Sequence, residues 1–317
     1  MSIDSPLEQA PLIQLQQTPI DNVLQIIDEG LVHLPTYREL YYRWERQQWK
    51  ASEIDFQVDI QQWQATSEED RTLQIYGLAA FFQGEASVTD TLSPYITAMP
   101  DEEMRLFLTT QQVDEARHTV FFSRFFQEVL GVDKGKMEDT LTEVRQYMNP
   151  ELQYILIDSL KDTGERLRLE PSNLALLVEG VTLYHVIIEG TMALAGQRAI
   201  LENYRQADIF PGFRGGFTAV ARDESRHVVF GVKFLREMIQ QDHDYAKVVQ
   251  ATVEKYATTA FKAIAPREET IPQLLAEQQD PWAAPRFAQD SLRKKLKVMG
   301  LSMALPDVPP LPVWEKL

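Results

Sequence analysis

An eight-residue block occurs twice in this 317-residue chain, and it limits the possible folds more than any other feature. Asp114-Glu115-Ala116-Arg117-His118-Thr119-Val120-Phe121 is echoed by Asp223-Glu224-Ser225-Arg226-His227-Val228-Val229-Phe230, with six of the eight positions identical at a spacing of 109. On a helix, Glu-x-x-His puts both side chains on one face, about one turn apart. A single copy usually marks a surface ion pair or a satisfied core histidine. Two matched copies use two of only five histidines. They point to two related helix pairs packed together, each supplying half of one site.

The rest of the chain agrees with an all-α answer. Apolar residues recur at three- and four-residue spacing and no alternating strands stand out, so the chain reads as a single all-helical domain. Helices are predicted over 66–91, opening on a capping box at Thr66-Ser67-Glu68-Glu69, and from Pro100-Asp101 to Gly131. Further helices are expected over 136–148, 151–160, from Pro171-Ser172 to Tyr204, over 217–240 after a break at Pro211 to Gly216, and over 245–263. Residues 1–35 read as an N-terminal arm, followed by a helix around Tyr37 to Trp49, and 67–240 as the metal-binding bundle core. Eight of the 17 prolines fall between Pro266 and Pro312. Residues 266–317 therefore read as a Pro-rich cap or tail, with one short basic helix near Leu292.

Leu174 to Ala195 is long and apolar enough to cross a bilayer. It also contains Glu179, His185 and Glu189, which are costly in lipid, so the reading is a buried bundle helix and no membrane span. The net charge of −16, from 31 basic and 47 acidic side chains, argues against nucleic acid and anionic membranes as partners. The absence of cysteine excludes disulfides, thiolate metal sites, iron–sulfur clusters and a cysteine nucleophile. Met1 to Gln17 is polar and has no apolar signal core, so the default location is cytoplasmic.

A four-helix bundle can take Glu-x-x-His from two helices and one glutamate from each of the other two, holding two metal ions between them. The first extra carboxylate is Glu85, which lies on the apolar stripe of Leu78, Phe81, Val88 and Leu92; Asp90 sits off that stripe and should be solvated. For the second, depth decides. Glu224 lies roughly 12 Å into its predicted helix, Glu189 roughly 22 Å and Glu179 roughly 37 Å back from the end of the preceding one. Glu189 can meet Glu224 across an antiparallel pair. Glu179 either supports the site from behind or exits at a bundle end. Four buried carboxylates call for two divalent cations to neutralise them. Oxygen-rich ligation with two imidazoles suits iron or manganese, with zinc also possible, and such a pair can activate dioxygen.

Glu85, the two repeated blocks and Glu189 resemble the ribonucleotide reductase small-subunit superfamily over roughly residues 35–265. Within it the chain is most similar to the ligand-binding oxidases. Val88 stands three residues after Glu85 and Tyr184 five before Glu189, like the pair those oxidases join by an ether bond. Phe122 occupies the place of the radical tyrosine, and no tyrosine follows Tyr256. The resemblance implies a ferritin-like four-helix bundle with additional helices and an oxidase using one Mn and one Fe, or two Fe, with dioxygen as oxidant. It further implies a long-chain fatty-acid-like ligand, a homodimer and an external electron donor. Glu85, Glu115, His118, Glu189, Glu224 and His227 would be metal ligands, and Val88 and Tyr184 the cross-linked pair and internal substrate. Asp223 would orient His118, Trp49 would stand on the reductase-like electron path, and Arg117 and Arg226 would be ion-paired supports. The five-residue step from Tyr184 to Glu189 leaves the two side chains about 140° apart on a regular α-helix, so a π-bulge is predicted between Tyr184 and Ala193. A reductase small subunit, an acyl desaturase and a ferritin-type iron protein are the rival readings.

Overall fold

The computed structural model describes residues 7–276 and 278–309. The start of the expected arm and the last residues of the expected tail lie outside them. Among the described residues every regular element is helical. We label the main ones α1 (Ile20–His33), α2 (Tyr37–Arg46), α3 (Glu68–Thr91), α4 (Glu102–Glu128), α5 (residues 150–169), α6 (Leu174–Gln206), α7 (Pro211–Gln241), α8 (Asp244–Ala263) and α9 (Ala283–Val298). The bundle is α3 against α4 and α6 against α7, with α4 also touching α7.

Helix starts follow from local chemistry. Ser67 caps α3, its Oγ accepting from the Asp70 amide at 3.1 Å, one residue later than the predicted box. Asp101 caps α4, accepting from the Glu103 amide at 2.8 Å. α6 starts behind Asn173 and not at Pro171-Ser172; the Asn173 Oδ1 accepts from the Leu176 amide at 3.1 Å.

The predicted break at Pro211 to Gly216 is wrong. The chain turns one step earlier, through Asp208 and Phe210, both at φ 50°, and Pro211 opens α7. Proline suits a first helical position because its missing N–H would have no partner there. The glycines lie inside α7 because neighbours come too close for a side chain. A Cβ on Gly212 would sit 2.4 Å from the Asp55 carbonyl, and one on Gly216 2.3 Å from Phe121. Asp59 then caps α7 from a neighbouring helix, accepting from the amides of Gly212 at 2.9 Å and Phe213 at 2.7 Å.

The ends are more structured than their sequence implies. Residues 1–35 include α1, which buries Val23, Ile26 and Ile27 and packs on α7, so this region is not merely an arm. The helix expected over 151–160 reaches Leu169, and that predicted over 136–148 ends as an α-helix at Val144. In the tail, α9 buries Ala288, Leu292 and Leu296 against α6 and its neighbours.

α6 is the one candidate membrane span among the described residues, and 83% of its most apolar window is buried inside the protein. Residues Thr182–Ala193 of it form a π-helix, where the Tyr184–Glu189 spacing predicts one. Its i→i+5 bonding narrows the angle between residues five apart and brings them onto one face. Widening a helix frees carbonyls. Thr191 Oγ1 donates to the Val186 carbonyl at 2.7 Å, and Ser291 Oγ of α9 donates to the Gly190 carbonyl at 2.9 Å.

Candidate metal centre

Each bundle helix brings acidic side chains to one point. Glu85 comes from α3, Glu115 and His118 from α4, Glu189 from the π-segment of α6, and Glu224 and His227 from α7; none is more than 6% exposed. With α7 starting at Pro211, Glu224 stands roughly 20 Å along it and Glu189 roughly 25 Å back from Gln206. The two depths match better than the predicted boundaries suggest.

Both histidines turn Nδ1 inward. His118 Nδ1 lies 3.3 Å from Glu85 Oε2 and 3.7 Å from Glu115 Oε2. His227 Nδ1 lies 3.3 Å from Glu115 Oε1 and 3.1 Å from Glu189 Oε1. Two triads result, Glu85–Glu115–His118 and Glu115–Glu189–His227, each with its donor atoms within 4.8 Å of one another. Glu115 belongs to both, one oxygen in each, as a bridging carboxylate must. Glu189 Oε2 and Glu224 Oε2 are buried without a hydrogen-bond partner. Buried carboxylate oxygens are costly to leave unpaired, so the donor set fits two divalent cations.

The outward nitrogens are held crosswise. His118 Nε2 lies 3.3 Å from Asp223 Oδ2, and His227 Nε2 3.2 Å from Asp114 Oδ2. Each aspartate therefore serves the histidine of the other block, and fixes which ring nitrogen faces the centre. Trp49 Nε1 donates to Asp223 at 2.7 Å and Trp44 Nε1 to Asp114 at 3.0 Å. Arg226 bonds Asp114 and Asp223 at 2.8 and 3.0 Å, and Arg117 bonds the same two carboxylates. Sequence reasoning missed Asp114 although it holds the repeat position of Asp223. Trp44, Gln111 and His185 were missed too, and only His185, polar inside the apolar run, carried a signal.

Electrostatics match a donor set that divalent cations would neutralise. Burial pushes Glu85 up to about 8 and Glu189 up to about 7, the facing histidines partly opposing it. Glu224 is raised well above the usual range by burial, then by the charges of Glu85 and Glu189. Burial also acts to raise Glu115, but hydrogen bonds from His118 and His227 outweigh it and hold this carboxyl well below the usual range. Burial disfavours charge on both histidines too, and their carboxylate partners overcome it, raising them well above an ordinary imidazole. Protons thus take the role that metal charge would play. Glu179 is elsewhere, paired with Arg166 at 3.1 and 3.0 Å. Of its two expected places it takes the bundle end. Asp90 is exposed.

A cavity of about 270 Å³ reaches the centre. All four site carboxylates line it, as do Val88 and Tyr184; Ala80, Phe81, Leu156, Ile188 and Met192 make its apolar wall. Gly77, also on the wall, is exposed, so the cavity runs from buried carboxylates to the surface. Ala193 lines it, whereas Phe121, Phe122, Phe125 and Phe126 do not and are fully buried core. Tyr184 Oη donates to Glu115 Oε1 at 2.7 Å and accepts from Gln111 Nε2 at 2.8 Å.

The same fold is found in solved structures of R2-like ligand-binding oxidases. One is a valine-to-isoleucine variant with an anaerobically reconstituted Mn/Fe cofactor (23% identity over 84% of this chain and 94% of that one, TM-score 0.73). Another is a glycine-to-leucine variant with the same kind of cofactor (24% identity, the same shares of the two chains, TM-score 0.73). A third is a tyrosine-to-phenylalanine variant with an aerobically reconstituted Mn/Fe cofactor (23% identity, again 84% and 94%, TM-score 0.70). The family model described as ribonucleotide reductase, small chain, matches residues 32–265, and the chain belongs to that family.

Proposed function

We propose that this chain is a dioxygen-activating dinuclear metal oxidase that binds a long-chain fatty-acid-like ligand and forms an ether bond between Val88 and Tyr184. The observation that carries the reading is the apolar cavity whose inner end is the four site carboxylates beside Tyr184 and Val88. A ligand with a carboxylate head and an apolar chain matches that polarity. Glu85, Glu115, His118, Glu189, Glu224 and His227 hold Mn and Fe, or two Fe, whose chemistry when bound is to activate dioxygen. The relatives' Mn/Fe cofactors favour the mixed pair.

The protein's own part is to position and to exclude water. Glu115 accepts the Tyr184 phenolic hydrogen bond, which holds the hydroxyl in place beside Val88. Ether formation removes the Val88 Cβ hydrogen and the Tyr184 hydroxyl hydrogen, two electrons and two protons in all, with dioxygen as acceptor. Asp223 and Asp114 orient the histidines. Peptide mass spectrometry after aerobic metal loading tests the reading. A Val88 peptide joined to a Tyr184 peptide, lighter than their sum by two hydrogens, is expected; its absence under both Mn/Fe and Fe-only loading refutes the cross-link.

A second reading, a reductase small subunit, is favoured by the Trp49–Asp223–His118 hydrogen-bonded chain. Nucleotide reduction on mixing with a large subunit would establish it instead. The reading includes a cytoplasmic homodimer. Leu106, Val113 and Val120 are 51%, 49% and 44% exposed at seven-residue spacing along α4, an apolar stripe suited to a second copy. Val113→Glu should convert the dimer to a monomer in sedimentation.

A further inference from the structure

Behind Tyr184 lies a buried network that the proposed oxidation does not use. His185, next in sequence, packs against Gly231 of α7, where a Cβ would meet the His185 Cβ at 2.2 Å. Its Nε2 lies 3.1 Å from Gln111 Oε1. The Gln111 amide nitrogen donates to two groups, Tyr184 Oη at 2.8 Å and Glu189 Oε1 at 3.2 Å. His185 and Gln111 are both fully buried.

The pattern fixes donors and acceptors. Burial, then the charge of His227, lowers the His185 pKa to about 3, so its ring carries one proton. The Val181 carbonyl also acts on the ring, but Nδ1 is buried without a hydrogen-bond partner. A proton on Nδ1 would leave the Nε2 and Gln111 Oε1 lone pairs facing each other. The proton therefore sits on Nε2 and is donated to Gln111. With its oxygen held there, the Gln111 amide cannot turn over, and both its N–H bonds face Tyr184 and Glu189. A flipped amide would set its oxygen against the Glu189 carboxylate.

We propose that Gln111, with its amide orientation locked by the His185 Nε2–H, is a positioning residue that fixes the Tyr184 hydroxyl and the Glu189 carboxylate together across the π-segment. The proposal rests on the metal-centre reading but not on the oxidation. Its test is anaerobic Mn(II) titration followed by the electron paramagnetic resonance of free Mn(II), together with the 13Cζ resonance of Tyr184 in metal-free protein, assigned with Y184F.

Gln111→Leu should weaken Mn(II) binding by roughly 10- to 100-fold, the usual effect of removing a partner of a metal ligand, and should shift the Tyr184 resonance. His185→Gln keeps a donor toward Gln111 and should stay near wild type in both readouts. His185→Phe keeps an aromatic ring but no donor and should behave like Gln111→Leu. The reverse order, with phenylalanine retained and glutamine lost, makes His185 a packing residue and overturns the proposal. So does a Gln111→Leu protein that binds Mn(II) like wild type. If the wild-type chain binds no Mn(II), the metal-centre reading itself falls, and this inference with it.

Discussion

Lys295 is buried to 1% exposure on α9, and replacing it with methionine should change how stability depends on pH. Its Nζ donates to Ser291 Oγ at 2.6 Å, and among the described residues it makes no ion pair. The charges nearest to it are Asp28, already paired with Lys294 at 2.8 Å, and Lys294 itself. Burial is the main reason its pKa falls to about 7 from an ordinary 10.5. Between those values the unfolded chain holds a proton here that the folded chain does not, so stability must rise with pH across that window. One proton is worth about 1.4 kcal/mol per pH unit. From pH 7.5 to 9.5 the lysine therefore adds about 2.5 kcal/mol, a little less than two full units because both ends of the window are partly titrated, and below pH 7 the gain disappears. Stopping at pH 9.5 limits tyrosine ionisation, and the wild-type minus Lys295→Met difference cancels the other groups. The assay is urea denaturation of both proteins at pH 7.5, 8.5 and 9.5. The methionine variant should be the more stable at pH 7.5, and the gap should narrow by about 2.5 kcal/mol by pH 9.5. Parallel curves would mean that Lys295 stays charged in the folded protein, and would refute the argument.

Asp114→Asn should loosen the His227 side of the centre and Asp223→Asn the His118 side, each weakening Mn(II) binding by roughly 10- to 100-fold; equal loss of both equivalents in either variant would count against separate roles. Metal loading at pH 7 should release about two or more protons per chain, because imidazolium and raised carboxyl groups must give up protons to bind. Calorimetry in buffers of different ionisation enthalpy measures this, and no proton release would mean the histidines are neutral without metal. Gly231→Ala should destabilise by about 1–3 kcal/mol through overpacking against His185, seen as a lower melting temperature. An unchanged melting temperature would show that His185 has room to move.

Much of the centre was legible because ligands obey helix geometry. Glu115 and His118 are one turn apart on any helix, and the repeat supplied Glu224 and His227. Even the π-segment could be read, since Tyr184 and Glu189 share a face only on a widened helix. What escaped depended on contacts between elements. Gly212, Gly215 and Gly216 look like a break, and only the Asp55 carbonyl, Leu12 and Phe121 show why glycine is needed inside a helix there. α1 was missed because its mixed Asp, Asn and Gln residues hide the apolar face that α7 covers. Gln111 carries no local signal, since only the fold brings its amide to Tyr184 and Glu189.

The repeat also shows where its two halves have separate tasks. Glu115 and Glu224, His118 and His227, and the crosswise aspartates are paired at the spacing of 109, whereas Glu85 and Glu189 and the surroundings of the blocks are not. At that spacing Gln111 corresponds to Val220 and Phe122 to Gly231. Phe122 fills a packed aromatic core with Phe81, Phe213 and Phe217. Gly231 leaves room for His185, and His185 holds the Gln111 amide that reaches Tyr184. Gln111 and Gly231 therefore act on the side of α6 and its π-segment, and Phe122 on the aromatic side formed with α3 and the start of α7. A pure metal store has no need to make one flank dry and rigid and the other polar and hydrogen-bonded to a single phenol. On the proposed oxidase reading the polar flank has that use, because only a fixed hydroxyl gives one product.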